Sequence, residues 1–330
     1  MDVPMLGYLI QRCLQALFVM FIMSIIVFVG VYAIGNPLEI LIPPEAPQDI
    51  RAATIARFGL DKPLIQQYLI FLGNVLQGDF GRSFIYSIPV LELIFSRLPA
   101  TLELALLAVV GATLLGIPLG IIAGYKPEHP ISRTIMAVSI LGFSMPSFWV
   151  GLILILTFAV ELGWLPAGGR GQTVTVLGME WSFLTANGLS HLLLPAINLG
   201  IFKLAMMIRL ARAGTQEVMH TDTVKFARAT GLAEGTILRQ HVLKLISIPV
   251  VTVFGLELGS TLAFAVVTET IFSWPGLGKL IIDSITLLDR PVMVAYLILI
   301  ALLFVTINLS VDITYSILDP RLRRGRSSTP

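Results

Sequence analysis

Long runs without charged residues alternate with short polar segments along the chain. The first run extends from Cys13 to Leu38 and is longer than the apolar core of a signal peptide, so it predicts a retained membrane helix. A helix needs about 20 apolar residues to cross a bilayer. Five further segments meet this requirement, at 104–125, 134–160, 189–210, 246–268 and 292–311. The pattern therefore predicts an all-α polytopic membrane protein with six transmembrane helices.

The same pattern divides the chain into four parts. An N-terminal transmembrane helix (1–36) precedes an external subdomain (37–100), in which Asp49–Phe58 and Lys62–Leu76 have helical apolar spacing. A core (101–320) contains transmembrane helices two to six, and residues 321–330 form a tail. Within the core, Pro146 is expected to kink the third helix, because proline cannot continue the hydrogen-bond ladder. The segment 209–245 is the longest stretch that we assign to the cytoplasm.

Composition and charge support a membrane protein and fix its orientation. The chain is 56% hydrophobic and 13% charged, with a mean hydropathy of +0.88, which a soluble domain does not tolerate on its surface. The net charge of +2 is too small to favour nucleic-acid binding. Thirteen basic residues lie in the 78 residues on the side of the termini, against eight in the 115 residues on the other side. Because basic residues favour the cytoplasmic side, we expect both termini in the cytoplasm.

Catalytic and metal-binding motifs do not occur in the sequence. The nearest approach to a phosphate-binding loop has Ser273 at its first glycine position and Leu280 after Lys279, so we reject it. The four histidines are widely spaced and lack the spacing of metal ligands. Cys13 is the single cysteine. We therefore expect no catalytic residue, no metal site and no cofactor in this chain.

A polar stretch from Asp222 to Pro249 interrupts the hydrophobic pattern. Asp222 is expected to cap a short helix, because its carboxylate accepts the free amides of a first turn. Gly231 is expected to end that helix in a left-handed conformation, and Gly235 to open a second helix. A helix of two turns is not stable alone in water, so it must dock. Lipid headgroups and a partner protein are both open as docking surfaces.

The residues of this stretch resemble a known loop. The motif Phe-Ala-Arg-Ala-Thr-Gly (226–231), with Arg239, His241 and a proline eighteen positions after Gly231, is similar to the coupling loop in permeases of ATP-binding-cassette importers. Lys-Phe-Ala (225–227) replaces the usual Glu-Ala-Ala, and the late Pro249 is typical of the dipeptide/oligopeptide/nickel branch. Collinear segments that resemble the same branch include FGLDKPLIQQY (58–68), RLPATLELALLA (97–108), HLLLPAINLG (191–200) and TETIFSWPGLGKLIIDSI (268–285).

This resemblance implies a type I importer permease fold and a channel-forming subunit for peptides or peptide-like solutes. Besides membrane lipids it implies three kinds of partner: a second homologous permease, two ATPases that bind ATP and Mg, and an external solute-binding protein. It implies no nucleic-acid partner. The location it implies is the bacterial inner membrane. The residues implied to couple to the ATPases are Asp222, Lys225, Phe226, Ala227, Arg228, Ala229, Gly231, Arg239, His241 and Pro249. Two alternatives are a self-sufficient secondary transporter that uses Glu257 as its ion-coupling carboxylate and a membrane scaffold without a path.

Two charged residues lie inside predicted spans, where a lipid-facing charge costs several kcal/mol. Lys203 and Glu257 are therefore expected either to pair or to line a translocation path, together with Ser260 and Asn198. The resembled family usually has an uncharged polar residue at position 257, so a charge there would tune selectivity toward cationic groups. A protonated Glu257 that bonds between helices is an equal alternative.

A second group of candidates follows the fifth span. It consists of Glu269, Phe272, Trp274, Pro275, Gly276 and Gly278. Tryptophan commonly anchors a helix at the membrane interface. The resemblance instead favours a re-entrant element that forms an outer gate or contacts the binding protein.

Overall fold

A computed structural model describes residues 3–33, 47–48 and 62–318 of the chain. In these residues the fold is helical apart from one short hairpin. The elements are α1 (Val3–Ala33), α2 (Leu64–Leu76), α3 (Val90–Tyr125), α4 (Pro130–Ser144), α5 (Ser147–Leu154), β1 (Val174–Val176), β2 (Met179–Trp181), α6 (Ala186–Met219), α7 (Asp222–Ala229), α8 (Glu234–Ile237), α9 (Leu243–Phe264), α10 (Val266–Ile271), α11 (Leu277–Thr286) and α12 (Arg290–Leu318). The predicted helix at 49–58 and the tail at 321–330 lie outside the described residues.

Five of the described helices are long and apolar enough to cross a membrane. They are Ile10–Gly30 within α1, α3, α6, the continuous helix Glu234–Phe264 and the Arg290–Val311 part of α12. The sixth predicted span is a bent pair, in which α4 and the helix Ser147–Glu161 meet at 105°. Six spans result if that pair crosses once, which agrees with the sequence. The helix α3 begins at Val90, ten residues before the predicted end of the external subdomain at position 100.

The bend between α4 and α5 has a local cause. Met145 precedes a proline, and the proline ring disfavours helical backbone angles at the residue before it. Met145 accordingly adopts φ −82° and ψ 139°, and Pro146 is also extended. The predicted effect of Pro146 is therefore confirmed, although the result is a sharp break rather than a mild kink. After α5 the chain continues as a π-helical segment, Ile155–Glu161.

The chain forms two compact units. The first comprises Met1–Leu98 and Leu280–Val305. Its turn at 83–85 is held by Asp289, which is fully buried. The Asp289 carboxylate accepts hydrogen bonds from the Ser83 hydroxyl and from the backbone amides of Phe84 (3.1 Å) and Ile85 (3.4 Å). Three donors compensate the buried charge, so the turn is fixed to the residues that open α12.

The second unit comprises Pro99–Lys279 and Thr306–Pro330, and α6 lies at its centre. Gly116, Gly120 and Gly124 of α3 face α6 so closely that a Cβ atom on each would lie 2.5–2.7 Å from α6 atoms. Small residues at a spacing of four allow two membrane helices to bring their backbones together. The α6 residues in contact are Met207, Ala211 and Thr215.

The hairpin β1–β2 lies in the segment between the third and fourth predicted spans. Leu177 and Gly178 form its two-residue turn, and both have positive φ, 54° and 77°. This geometry matches the twist of a hairpin. Leu177 is 98% exposed, so the tip of the hairpin carries an apolar side chain that nothing in its unit covers.

Candidate functional site

The short helix α7 lies at the turn between α6 and α8. It ends as the sequence predicts, because Gly231 adopts φ +83°. Two backbone bonds close its C-terminus, from Gly231 N–H to Arg228 O (3.0 Å) and from Leu232 N–H to Ala227 O (3.1 Å). This pair of bonds is the Schellman arrangement, which satisfies the last carbonyls of a helix. A Cβ at position 231 would meet no neighbour within 4 Å, so the glycine is required by its backbone angle.

The prediction that Asp222 caps α7 is wrong. The cap position belongs to Thr221, whose hydroxyl donates to Val218 O at 2.7 Å. Asp222 is the first helical residue, and its carboxylate accepts from Lys225 at 2.8 Å. It still places a negative charge at the positive end of the helix. The second helix begins at Glu234, one residue earlier than Gly235.

One side of α7 is buried against the chain itself. Val224 is 0% exposed and Ala227 is 4% exposed. They belong to one apolar cluster with Ala211, Val218, Met219, Ile237, Val242 and Ile246, and the partly buried Ile117, Ile121, Tyr125 and Leu238 pack on it. Ala227 therefore supports the helix from inside and does not present its side chain to a partner.

The opposite side of α7 is open to solvent. Phe226 is 71% exposed, and Lys225, Arg228 and Ala229 are also exposed. Phe226 therefore projects a large apolar side chain from a helix whose other side is fixed, as a helix that docks in a groove of a partner requires. Of the remaining coupling candidates, Arg239 and Pro249 are exposed and His241 is half-buried.

Both basic residues of α7 are paired within the chain. Arg228 binds Glu234 through two bonds, Nε to Oε1 at 2.7 Å and Nη2 to Oε2 at 3.3 Å. Lys225 is paired with Asp222. Such exposed pairs contribute little to stability, because solvent screens them. Their main effect is geometric, because the Arg228 pair connects α7 to the first residue of α8.

The two charges inside the spans form an ion pair. Lys203 Nζ lies 2.5 Å from Glu257 Oε2, with side-chain exposures of 18% and 21%. Lys203 also donates to Ser260 Oγ at 3.3 Å. Of the two arrangements left open by the sequence, pairing is the one observed. Asn198 is not in this group, because it is fully buried and donates to Thr268 Oγ1 at 2.9 Å.

The candidates after the fifth span are buried. Phe272, Trp274 and Glu269 are 0% exposed, Gly276 and Gly278 are buried, and Pro275 is half-buried. The Trp274 indole donates to Ala100 O at 2.8 Å. Trp274 is therefore not an interfacial anchor, and the buried members of this group do not form a contact surface in this conformation.

Glu269 organises this buried group. Its carboxylate accepts from Thr101 Oγ1 (2.7 Å) and from the amide of Lys279 (2.9 Å). Burial raises the pKa of Glu269 above its ordinary value, and the hydrogen bonds from Thr101 and from the amides of Lys279 and Gly278 oppose that rise. A Cβ on Gly276 would lie 2.3 Å from a carboxylate oxygen of Glu269. The carboxylate thus fills the space that a side chain at 276 would need.

A second buried carboxylate was not recognised from the sequence. Glu103 is 3% exposed and binds Arg170 Nε at 2.7 Å. It also accepts from the amide (2.9 Å) and hydroxyl (2.7 Å) of Ser182. The pair fixes the segment that carries the β1–β2 hairpin to α3. The only signal in the sequence is a lone glutamate directly before a long uncharged run.

Known proteins are similar to this chain in sequence and in fold. A family model described as binding-protein-dependent transport system inner membrane component matches residues 116–324, and the model of its N-terminal part matches residues 5–105. The di/tripeptide transport system permease protein DppB of Pseudomonas aeruginosa is 43% identical, over 88% of this chain and 91% of its own length. The oligopeptide transport system permease protein AppB of Bacillus subtilis is 39% identical, over 96% and 99%.

One solved structure shows the same fold at low sequence identity. It is an inward-facing form of the MetNI methionine ABC transporter, with a TM-score of 0.56 and 17% identity, covering 69% of this chain and 96% of that chain. At this identity the likeness concerns the fold alone, and it supports the type I importer permease fold implied by the sequence.

Proposed function

Because the chain belongs to the family of binding-protein-dependent transport system inner membrane components, we propose that it is the channel-forming permease subunit of an ATP-driven importer for peptides or peptide-like solutes. The substrate class is supported by the two relatives, which are named for di/tripeptide and oligopeptide transport. The alternatives of a self-sufficient secondary transporter and of a scaffold are not retained, because the family consists of components of transport systems.

The proposed assembly contains four further protein subunits and is surrounded by lipid. A second homologous permease completes the channel, two cytoplasmic ATPases bind ATP and Mg, an external solute-binding protein delivers the substrate, and membrane lipids surround the spans. Both termini lie in the cytoplasm, as the distribution of basic residues supports. This chain supplies the path and no catalytic residue.

The observation that carries the proposal is the geometry of α7. Its inner side is buried through Val224 and Ala227, while Phe226 is 71% exposed. The helix is closed by a left-handed glycine and connected to α8 by the Arg228–Glu234 pair. We propose that Phe226 inserts into an apolar pocket of an ATPase. The fixed inner side then transmits the motion of the ATPase to α6 and α9, because the α7 cluster contains residues of both helices.

Two further roles follow from the same assignment. The Lys203–Glu257 pair retains about a fifth of its surface, and a lipid-facing position would be costly for it. We propose that it faces the translocation path with Ser260, where it meets the charged termini of a peptide. We also propose that Glu269, Phe272 and Trp274 belong to an outer gate that is packed shut in this conformation.

Co-purification of the ATPases with Phe226→Ala tests the coupling role. The ring is 71% exposed and contributes little to the packing of α7, so the variant should fold and insert normally. We expect it to retain fewer ATPase subunits and to take up less substrate per ATP hydrolysed. Phe183→Ala is the matched control, because Phe183 is also exposed, at 46%, and lies next to β2. Coupled uptake equal to that of the control would contradict the proposal.

A further inference from the structure

Helix α2 is a short apolar helix of 13 residues without a charged side chain, LIQQYLIFLGNVL. An apolar segment of this length is usually a core helix, an interfacial or re-entrant segment, or the core of a signal peptide. No residue of α2 is buried, so it is not a core helix. It follows a complete span, so it is not a signal peptide either. An interfacial segment remains.

The side chains of α2 divide into two apolar faces and one polar edge. Tyr68 and Phe71 contact Phe28 of α1, with ring centroids 5.4 and 5.6 Å apart. The neighbouring face consists of Ile65, Leu69, Leu72 and Leu76, which are spaced as one stripe of a helix. Three of these are 76%, 59% and 79% exposed, namely Ile65, Leu69 and Leu76. The polar residues Gln66, Gln67 and Asn74 lie on the remaining edge, with Ile70 between Gln66 and Asn74.

The contact with α1 sets the depth of α2. Tyr68 Oη lies 2.8 Å from Ser24 Oγ, and Ser24 is buried. The candidate span of α1 ends at Gly30. At a rise of about 1.5 Å per residue, Ser24 lies about 9 Å inside that end. A helix that reaches Ser24 with its tyrosine is therefore at the level of the hydrocarbon and not in the aqueous phase beyond it.

The helix that α2 contacts itself has an apolar exposed surface. In the same candidate span as Ser24, α1 exposes Leu17, Phe18 and Phe21 to 67%, 65% and 49%. These side chains belong to a candidate span whose surroundings are acyl chains. Because the stripe of α2 adjoins its α1-contacting face, lipid is the occupant that the position of the helix supports.

We propose that α2 is an interfacial helix that inserts its Ile65–Leu69–Leu76 stripe into the bilayer, on the side of the membrane where α1 ends. The polar edge faces the headgroups and water, as in other amphipathic helices that lie in the membrane plane. The absence of charge on α2 means that apolar area drives insertion. This part of the predicted external subdomain is then a membrane element that flanks α1.

Spin labelling of the full-length protein in bilayers tests this proposal. In a Cys13→Ser background, a nitroxide is attached to Leu69→Cys on the stripe and, as matched control, to Asn74→Cys on the polar edge. Collision with oxygen, which partitions into lipid, is compared with collision with a water-soluble nickel chelate. We expect oxygen to dominate at position 69 by several-fold and the nickel chelate to dominate at position 74. Ile65→Cys provides a second probe of the stripe if the first variant inserts poorly.

Two other results would overturn the proposal. Nickel access at positions 69 and 65 equal to that at 74 would place α2 in water. Low access of both reagents at the stripe would mean that another protein surface covers it, such as the second permease or the binding protein. The proposal does not depend on the transported solute, since its measurement requires no transport.

Discussion

Replacing Glu257 by glutamine leaves the Lys203 charge inside the spans without its carboxylate. At 2.5 Å the attraction between the two charges is about 7 kcal/mol for an effective dielectric constant of about 20. Desolvation offsets much of this attraction, and breaking a fully buried pair costs about 3–5 kcal/mol. The side chains are 18% and 21% exposed, and Ser260 remains as an acceptor for Lys203. We therefore expect Glu257→Gln to lower the free energy of unfolding by about 2–3 kcal/mol.

A double-mutant cycle measures this interaction. Unfolding of the detergent-solubilised protein is followed as the fraction of a denaturing detergent increases, for the wild type, Glu257→Gln, Lys203→Gln and the double variant. Each single variant leaves one charge unpaired. The double variant leaves none and should recover to within about 1 kcal/mol of the wild type. Uptake of cationic, neutral and anionic peptides by the same four proteins reports whether the pair also contacts substrate.

Two results of this cycle would contradict the reasoning about the Lys203–Glu257 pair or limit its role. If the two single losses add in the double variant, the ion pair contributes no coupling energy and the reasoning from its geometry fails. Unchanged uptake and unchanged substrate range in Glu257→Gln would instead leave the pair as a purely structural contact between α6 and α9.

Two predictions concern the buried carboxylates. The pKa of Glu269, which lies five residues after the end of its candidate span at Phe264, is raised by burial, so the folded state holds the proton more tightly. The stabilising contribution of Glu269 should be fully present below its ordinary pKa of 4.5 and should decline as pH rises through the raised pKa. Glu269→Gln should remove this dependence in unfolding measured between pH 5 and 8, and an unchanged slope would contradict it. Glu103→Gln should lower the free energy of unfolding by about 3–5 kcal/mol, because it leaves Arg170 without its carboxylate. The control Glu128→Gln, from a pair exposed at 69% and 85%, should lower it by less than about 1 kcal/mol. Equal losses of stability in the two variants would contradict this prediction.

The sequence determined the features that depend on local rules. The apolar runs predicted the spans, because a helix needs about 20 mainly apolar residues to cross a bilayer. The single charges Lys203 and Glu257 did not obscure two of these runs. The effects of Gly231 and Pro146 were predicted correctly, because both depend on residues within a few positions. Gly231 adopts a left-handed backbone, and Pro146 restricts the backbone of the residue before it. The helix at 62–76 was also predicted, from its apolar spacing.

The features that the sequence did not reveal depend on residues far apart in the chain. For Trp274 the sequence left open an interfacial anchor and an outer gate or binding-protein contact, but it did not reveal that the indole bonds to Ala100, 174 positions earlier. Glu103 received no role because its partner, Arg170, is 67 positions away. Asp222 was expected at the cap, one position from its place in the helix. Boundaries of this kind depend on the packing of the neighbouring turns.

The glycine seam of α3 joins parts of this protein that lie far apart along one helix. Gly116 and Gly120 lie on either side of Pro118, so the close contact with α6 supports α3 where a proline would otherwise weaken it. From Tyr125, which packs against the α7 cluster, to Ala100, which accepts the Trp274 indole, α3 is a continuous helix of about 38 Å. Under the coupling role proposed for α7, α3 is therefore the helix along which a displacement of α7 would reach the Glu269 cluster.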